Sequence, residues 1–318
     1  MTDHIAQGKY WDRAWSLVDG CTPCSPGCDN CWSMAMNKRF HKWPERVTIR
    51  PDRLNIPLKV RKPTVWAIWN DLFHEDVPSH SVQAAYTTMA LARKHTFLVL
   101  TKRPARMASI LTGWDKTGLT LREGFRGGKI PNIWHGLTVC NQQEADEKIP
   151  IFLQVPGKKF LSIEPMLGPI KNIKLCTDNC DKGFSPPNTI GPCCDCTQDI
   201  DAVILGGETG PKARPMHLDW VRSVRDQCQA AEVPFFFKQW GEWEPIAPVF
   251  GDLSDTEEDR AAKEFGHREI IDCCGTIWPP MMHYQPPPGS FVVERVGSKR
   301  AGRLLDGREH NDLPWRAL

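Results

Sequence analysis

No run of apolar residues in this 318-residue sequence approaches the roughly 20 that a helix needs to cross a bilayer. The opening stretch, MTDHIAQGKYWDRAW, lacks the apolar centre of an export signal. A cytoplasmic protein without a membrane partner is therefore expected. Charge of one sign is missing too. Forty Lys and Arg face 38 Asp and Glu, leaving +2, so any nucleic-acid contact must come from a local patch and not from bulk charge. Tyr is scarce, with three against 13 Trp. No repeat or low-complexity tract stands out, which excludes solenoids and arrays.

What the sequence does have is cysteine, 13 in all. Without an export signal, clustered cysteines point to metal ligands and not to disulfides. The densest cluster is WSLVDGCTPCSPGCDNCW, Trp15–Trp32, where Cys21, Cys24, Cys28 and Cys31 are spaced by Thr, Pro, Ser, Gly, Asp and Asn. Those spacers let a loop fold back until several sulfurs face one centre. Three thiolates can hold three irons of a [4Fe–4S] cube and leave the fourth iron open. Cys24, Cys28 and Cys31 provide one such set, and Cys21, Cys28 and Cys31 another. A closed tetrahedral zinc site using all four is the alternative, because thiolates suit either metal.

Along the chain, short apolar strands alternate with helical patterns. Ala14–Val18 feeds the cysteine loop, and a helix is expected over Cys31–His41. Strands are expected at Thr64–Trp69, Thr96–Leu100, Asn132–Val139, Lys159–Ile163, Asp201–Leu205 and Pro234–Lys238. Helices are expected at Ser79–Lys94, Gln142–Gln154 and Leu218–Ala231. Alternating strands and helices argue for a parallel sheet, and strands without polar alternation argue for a sheet covered on both faces. The expected fold is α/β, a partial (β/α)6-type barrel like a TIM barrel, with an open doubly wound sheet as the alternative. Residues 1–244 would form the barrel. It would contain a Cys-rich insertion at 176–197, and 245–318 would be an irregular C-terminal extension packed on it.

The insertion carries Cys176, Cys180, Cys193 and Cys196 at a zinc-ribbon spacing, so it is a candidate second metal site for Zn2+ or a second iron–sulfur cluster. Cys140, Cys228, Cys273 and Cys274 lack spacing partners and are expected to be ordinary thiols. Polar residues collect after the strands, where a barrel places its active site. Glu164 follows one strand and needs a partner if buried, and Lys238 after the last strand is the candidate. Lys102 and Arg103 are candidates for binding a carboxylate or phosphate, with the solvated start of a helix as the plain alternative. Gly206, Gly207 and Glu208 permit close backbone approach to a ligand, or simply make a tight turn.

A cysteine loop directly after the first strand of a partial barrel resembles the radical S-adenosylmethionine (radical SAM) superfamily. More closely, the blocks WSLVDGCTPCSPGCDNCW, NDLFHEDVP, FLVLTKRPARM, SIEPMLGPI, VILGGETGPKARPMH, PFFFKQWGEW and AGRLLDGREHNDLP resemble a phage and prophage family with a three-cysteine motif, described as radical-SAM-like. The resemblance implies a [4Fe–4S] cluster on Cys21, Cys28 and Cys31, with Cys24 as an alternative ligand. Its open iron would bind S-adenosylmethionine, and reduction by a protein such as flavodoxin or ferredoxin would yield a 5′-deoxyadenosyl radical. Asp71 would then accept hydrogen bonds from the methionyl ammonium, His74 would line the pocket, and Gly206, Gly207 and Glu208 would meet the adenosine. A helix cap is the plain alternative for Asp71 and His74. Glu164, Lys238 and Lys102 are the catalytic candidates. The chain differs from the superfamily's pattern at Asn30, where an aromatic is frequent, and at Asn70-Asp71-Leu72, where Gly-Gly-Glu is frequent. The expected function is a radical SAM enzyme acting on a nucleobase, nucleotide or DNA, in modification or repair. The alternatives are a zinc-dependent nucleic-acid-binding protein without redox chemistry and non-radical methyl transfer from S-adenosylmethionine.

Overall fold

Strand β1 (Arg13–Trp15) ends just before the cysteine loop, as the apolar run at Ala14–Val18 leads one to expect. The structure, a computed structural model, describes residues 4–5, 7–40, 43–116, 120–121, 125–126, 130–175, 200–249, 268–278 and 286–316. Next come β2 (Val65–Ile68), β3 (Thr96–Thr101), β4 (Ile133–Thr138), β5 (Lys158–Ile163), β6 (Ala202–Gly206) and β7 (Phe235–Gln239). They form one seven-stranded sheet in chain order, and every neighbouring pair is parallel. Strands β2, β4 and β6 are buried at every position, which is why their sequences show no polar alternation. A doubly wound sheet reverses its order at a switch point. Here the chain always steps to the next neighbour, so the sheet curls one way into a half-barrel of seven strands, counting the run at Ala14–Val18 that leads into the cysteine loop.

Successive side chains of β3 separate the two layers. Phe97 and Val99 face the helices, while Leu98 and Leu100 face the concave side. Helix α1 (Trp32–Arg39) follows the cysteine loop, and α2 (Ser79–Leu91), α3 (Pro104–Lys116), α4 (Gln142–Phe152) and α5 (Leu218–Ala230) alternate with the strands. Val82, Ala85, Tyr86 and Met89 place a buried stripe of α2 against Phe97 and Val99. Asn141 caps α4, its side chain accepting from the Glu144 N–H at 3.0 Å.

The concave face is filled by the two ends of the chain. Tyr10, Leu313 and Trp315 pack with Val65, Leu98, Trp134, Phe160, Ile204 and Phe236. The Trp315 ring lies 4.9 Å from Trp134 and 5.5 Å from Phe160, and its indole N–H donates to Tyr10 O at 3.0 Å. The same tail covers the free edge of β7, where Phe236 bridges Asn311 and the Phe237 N–H donates to His310 O at 3.0 Å.

The C-terminal extension is more regular than its Pro- and Gly-rich sequence leads one to expect. Strands β8 (Trp243–Pro248), β9 (Arg268–Ile271), β10 (Ile277–Trp278) and β11 (Phe291–Arg295) form an antiparallel sheet in the order β8-β11-β9-β10. Trp243, Ile271, Phe291 and Val293 belong to the same buried cluster as the helical layer of the half-barrel. The extension thus packs on the barrel, although a boundary at 244/245 would cut β8. Among the described residues, no helix is long and apolar enough to cross a membrane.

Candidate functional site

Parallel strands present their C-terminal ends at one rim, and the chemistry-bearing residues gather there. The cysteine loop leaves β1 at that rim and is clamped from two sides by arginines, each backed by a buried carboxylate. On one side Arg103, after β3, pairs with Asp71, after β2, at 3.0 Å, with both side chains buried. Its Nη2 donates to Thr22 O and Thr22 Oγ1, each at 3.0 Å, its Nη1 lies 3.8 Å from Cys21 Sγ, and its Nε meets Glu75 at 2.7 Å. Adjacent strands β2 and β3 bring Asp71 and Arg103 together.

Asp71 is fully occupied by this work. Its Oδ1 accepts from the Phe73 N–H at 2.9 Å and from Thr101 Oγ1 at 2.7 Å, and its Oδ2 from the Lys102 N–H at 3.2 Å as well as from Arg103. A carboxylate has about four acceptor positions, so none is left for a ligand ammonium. Asp71 positions the loop. His74 does the same, with Nδ1 accepting from the Asp76 N–H at 3.1 Å. The network therefore assigns the hydrogen to Nε2, which donates to Thr22 Oγ1 at 2.7 Å.

On the other side Glu208, after β6, accepts from Arg214 Nη2 at 2.7 Å, Arg214 Nε at 2.9 Å and Asn30 Nδ2 at 3.0 Å. Arg214 reaches on to Pro26 O at 2.9 Å and Asp29 at 3.2 Å. Burial pushes the Glu208 carboxyl up, but the Arg214 and Asn30 hydrogen bonds outweigh it and hold the group below its ordinary range. Asn30, where the superfamily pattern favours an aromatic, is the residue that ties the loop to Glu208. Glu208 is thus a clamp on the loop, and Arg214 is a site residue that sequence reasoning missed. Nothing in its Pro- and Gly-rich surroundings marks it.

Gly207 is required by packing. A Cβ there would lie 1.9 Å from Trp240 O. Gly207→Ala is expected to force the β6 and β7 ends apart and to destabilise the protein by about 1–3 kcal/mol, measured by chemical denaturation. At Gly206 a Cβ would meet Glu164 Cδ and Lys238 Cβ at 3.5 Å, an ordinary contact, so this position borders the mouth. Glu164 and Lys238 form the ion pair expected for them, half-buried across the ends of β5 and β7. Tyr10 lies beneath, and burial together with the Glu164 charge pushes its phenol up.

Within the loop, the Cys28 thiol is held well below its ordinary range, mainly by the hydrogen bond from Cys24 and further by backbone N–H groups and the Lys102 charge. Cys24 is raised correspondingly, its thiol carrying the shared hydrogen. Burial raises Cys21, against the pull of Arg103, and its environment includes the Cys28 charge. Cys31 is the N-cap residue of α1. Gly27 brings the loop down onto the mouth, since a Cβ there would stand 2.5 Å from Cys140 Sγ and 3.4 Å from Lys102 Nζ. Thiols of this kind fit a soft metal or an iron–sulfur cluster by donor chemistry. Among the described residues, no three His, Cys, Asp or Glu side chains converge into a ready metal site.

The second cysteine cluster, Cys176, Cys180, Cys193 and Cys196, lies outside the described residues. Cys140 and Cys228 are buried, and Cys273 and Cys274 are exposed. Trp134 and Trp240 are core residues, whereas half-exposed Trp69 meets Trp32 at 4.7 Å and Trp11 at 6.0 Å.

Comparison with known proteins places the chain in one family. It belongs to the family described as "Protein of unknown function (DUF5131)", whose model matches residues 6–314. No curated protein and no solved structure matches it.

Proposed function

We propose that this member of the family is an iron–sulfur enzyme of the radical SAM kind, acting on a nucleobase, nucleotide or DNA. The observation that supports this reading most is the placement of the cysteine loop. It leaves the first strand of a parallel half-barrel at the rim where the strand ends collect polar residues. Cys21, Cys28 and Cys31 would hold a [4Fe–4S] cluster, with Cys24 able to replace a member of that set. When bound, the cluster and S-adenosylmethionine would supply one-electron cleavage of a carbon–sulfur bond and, through it, hydrogen abstraction from a substrate.

The protein's own residues supply position and charge. Arg103 and Arg214 hold the two flanks of the loop, so that the sulfurs are fixed by the barrel and not by the loop alone. Asp71, His74 and Glu208 act through those contacts and do not touch the cofactor. Lys102 stands under Gly27 as a cation for a carboxylate or phosphate, and the Glu164–Lys238 pair offers an acceptor and a donor across the mouth.

Anaerobic reconstitution tests the reading. The protein is expected to turn brown, with broad visible absorption and about four irons per chain. Cys28→Ala and Cys31→Ala are expected to lose nearly all of this iron, while Cys24→Ala retains most of it. With S-adenosylmethionine and dithionite, 5′-deoxyadenosine is expected as a product. A colourless protein that binds only zinc would sink the proposal, and loss of iron in Cys24→Ala alone would overturn the ligand set.

A further inference from the structure

Helix α1 is built inside out. Its buried side is polar, with Ser33 and Asn37 turned inward and Ser33 Oγ donating to Asn70 Oδ1 at 2.7 Å. Asn70, in a left-handed conformation with φ 62°, ties the same spot to the segment after β1, its Nδ2 donating to Val18 O at 2.6 Å. The outer side is apolar, with Trp32, Met36 and Phe40 at successive i, i+4 positions 50%, 37% and 64% exposed and Trp43 just beyond at 79%. A soluble protein rarely leaves large aromatic groups contiguous and uncovered without a use for them.

Charge around these rings is mostly positive, and Glu45, between Trp43 and Arg46, is the one acidic exception among the described residues of 32–46. From Asn30 to Pro44 the sequence contains no acidic residue. Lys38, Arg39 and Arg46 are exposed and lie close in sequence to Phe40 and Trp43. In a chain whose net charge is only +2, three exposed cations against the one carboxylate of Glu45 make a local basic patch. The run 102–106 is less available, because Arg103 is buried and Arg106 is bonded to Val77 O, and the run 299–303, although Lys299 and Arg300 are exposed, holds no aromatic residue. Aromatic faces interleaved with cations are the means by which proteins hold single strands, with bases stacking on the rings and phosphates meeting the cations. A protein partner would have to be acidic and apolar at once, whereas a single-stranded nucleic acid combines π-faces and negative charge in every unit.

We infer that the exposed face of α1, continued through Trp43 and Arg46, is a docking surface for single-stranded DNA. Phe40 and Trp43 stack bases, and Lys38, Arg39 and Arg46 meet phosphates. The contacts assigned here go to base faces and phosphates, none of which needs a 2′-hydroxyl, so deoxyribose suffices. Since Cys31 caps the N-terminus of α1, a strand held there points toward the cysteine loop, and Trp32, Trp69 and Trp11 continue the aromatic line at 4.7 and 6.0 Å. That this strand is also the substrate rests on the function proposed above. The binding itself does not.

Metal-free protein and a fluorescein-labelled 20-nucleotide oligothymidine test the surface by anisotropy, so a failure here is separate from a failure of iron loading. Binding is expected at 50 mM salt, to weaken steeply by 200 mM, to exceed binding of a duplex and to be no weaker than binding of oligouridine of the same length. Phe40→Ala and Trp43→Ala are each expected to weaken it about 10-fold. Lys38→Glu/Arg39→Glu should lower both affinity and salt dependence, and Lys299→Glu should change neither. All these positions are exposed, and unchanged circular dichroism checks the fold. The inference is overturned by absence of binding at 50 mM salt, by equal binding in Trp43→Ala and Phe40→Ala, or by tighter binding of oligouridine. It is also overturned if sedimentation shows a dimer that Trp43→Ala dissociates, since the face would then serve a second copy of the chain.

Discussion

Asp71→Ala is expected to destabilise the protein by about 3–5 kcal/mol, the range found when one partner of a buried ion pair is removed. Arg103 would be left as a buried guanidinium paired only with solvent-exposed Glu75, and Thr101 Oγ1 and the Phe73 and Lys102 N–H groups would lose their acceptor. The damage does not stop at stability, because Arg103 carries Thr22 and the region of Cys21. Urea denaturation should show the lower midpoint, and thiol labelling at low denaturant should show faster modification of the loop cysteines. Glu75→Ala is the contrast. Glu75 binds the same guanidinium from its solvent side and is 63% exposed, so its loss is expected to cost less than about 1 kcal/mol. Equal costs for the two variants would show that the pair is not the buried anchor described above. Replacing Asp71 and Arg103 together by apolar residues should recover part of the stability, because no charge is left stranded. It should not recover the hold on Thr22.

Trp315→Ala is expected to cost a similar amount, about 3–5 kcal/mol, the range for emptying a buried Trp site. The reason lies in its place on the concave face. A half-barrel has no opposite wall to fill its interior, and this chain fills it with Trp315 against Trp134 and Phe160. The indole N–H also ties the C-terminal segment to Tyr10, 305 positions away in sequence. Loss of the ring should loosen the floor under Glu164 and Lys238. The variant should therefore show a lower denaturation midpoint, together with enhanced binding of an apolar dye to the exposed interior. Trp315→Phe keeps most of the ring volume but loses the hydrogen bond, and should fall between the two. If Trp315→Ala were neutral, the C-terminal tail would not be the plug of the barrel.

Both results depend on contacts between residues far apart in sequence, which explains what could be read without coordinates. The strands were legible because each is a short β-branched or aromatic run, and each ends in a polar group. Lys238 was a sound partner for Glu164 because both follow barrel strands, and strand ends share one rim. The cysteine loop was legible from its spacing and turn residues. The roles of Asp71, His74 and Glu208 were not. Whether a carboxylate at a rim meets a ligand or an arginine depends on which side chain the adjacent strand end presents, and no local pattern records that. Arg214 was invisible for the same reason.

Helix α1 shows the same division most clearly. A helix was expected there, and the sequence said nothing of which face it buries. Burial decided it, because Ser33 and Asn70 bind across the inner side and turn Trp32, Met36 and Phe40 outward. The sequence by itself determined the parallel strand-and-helix alternation, the rim of polar residues and the loop of four thiols, because these follow from local composition and period. Only the tertiary structure decided the direction in which the sheet curls, which arginines clamp the loop, what fills the open side and which face of α1 meets water. Those are choices among competing partners, and a partner is selected by proximity in space, which local sequence does not carry.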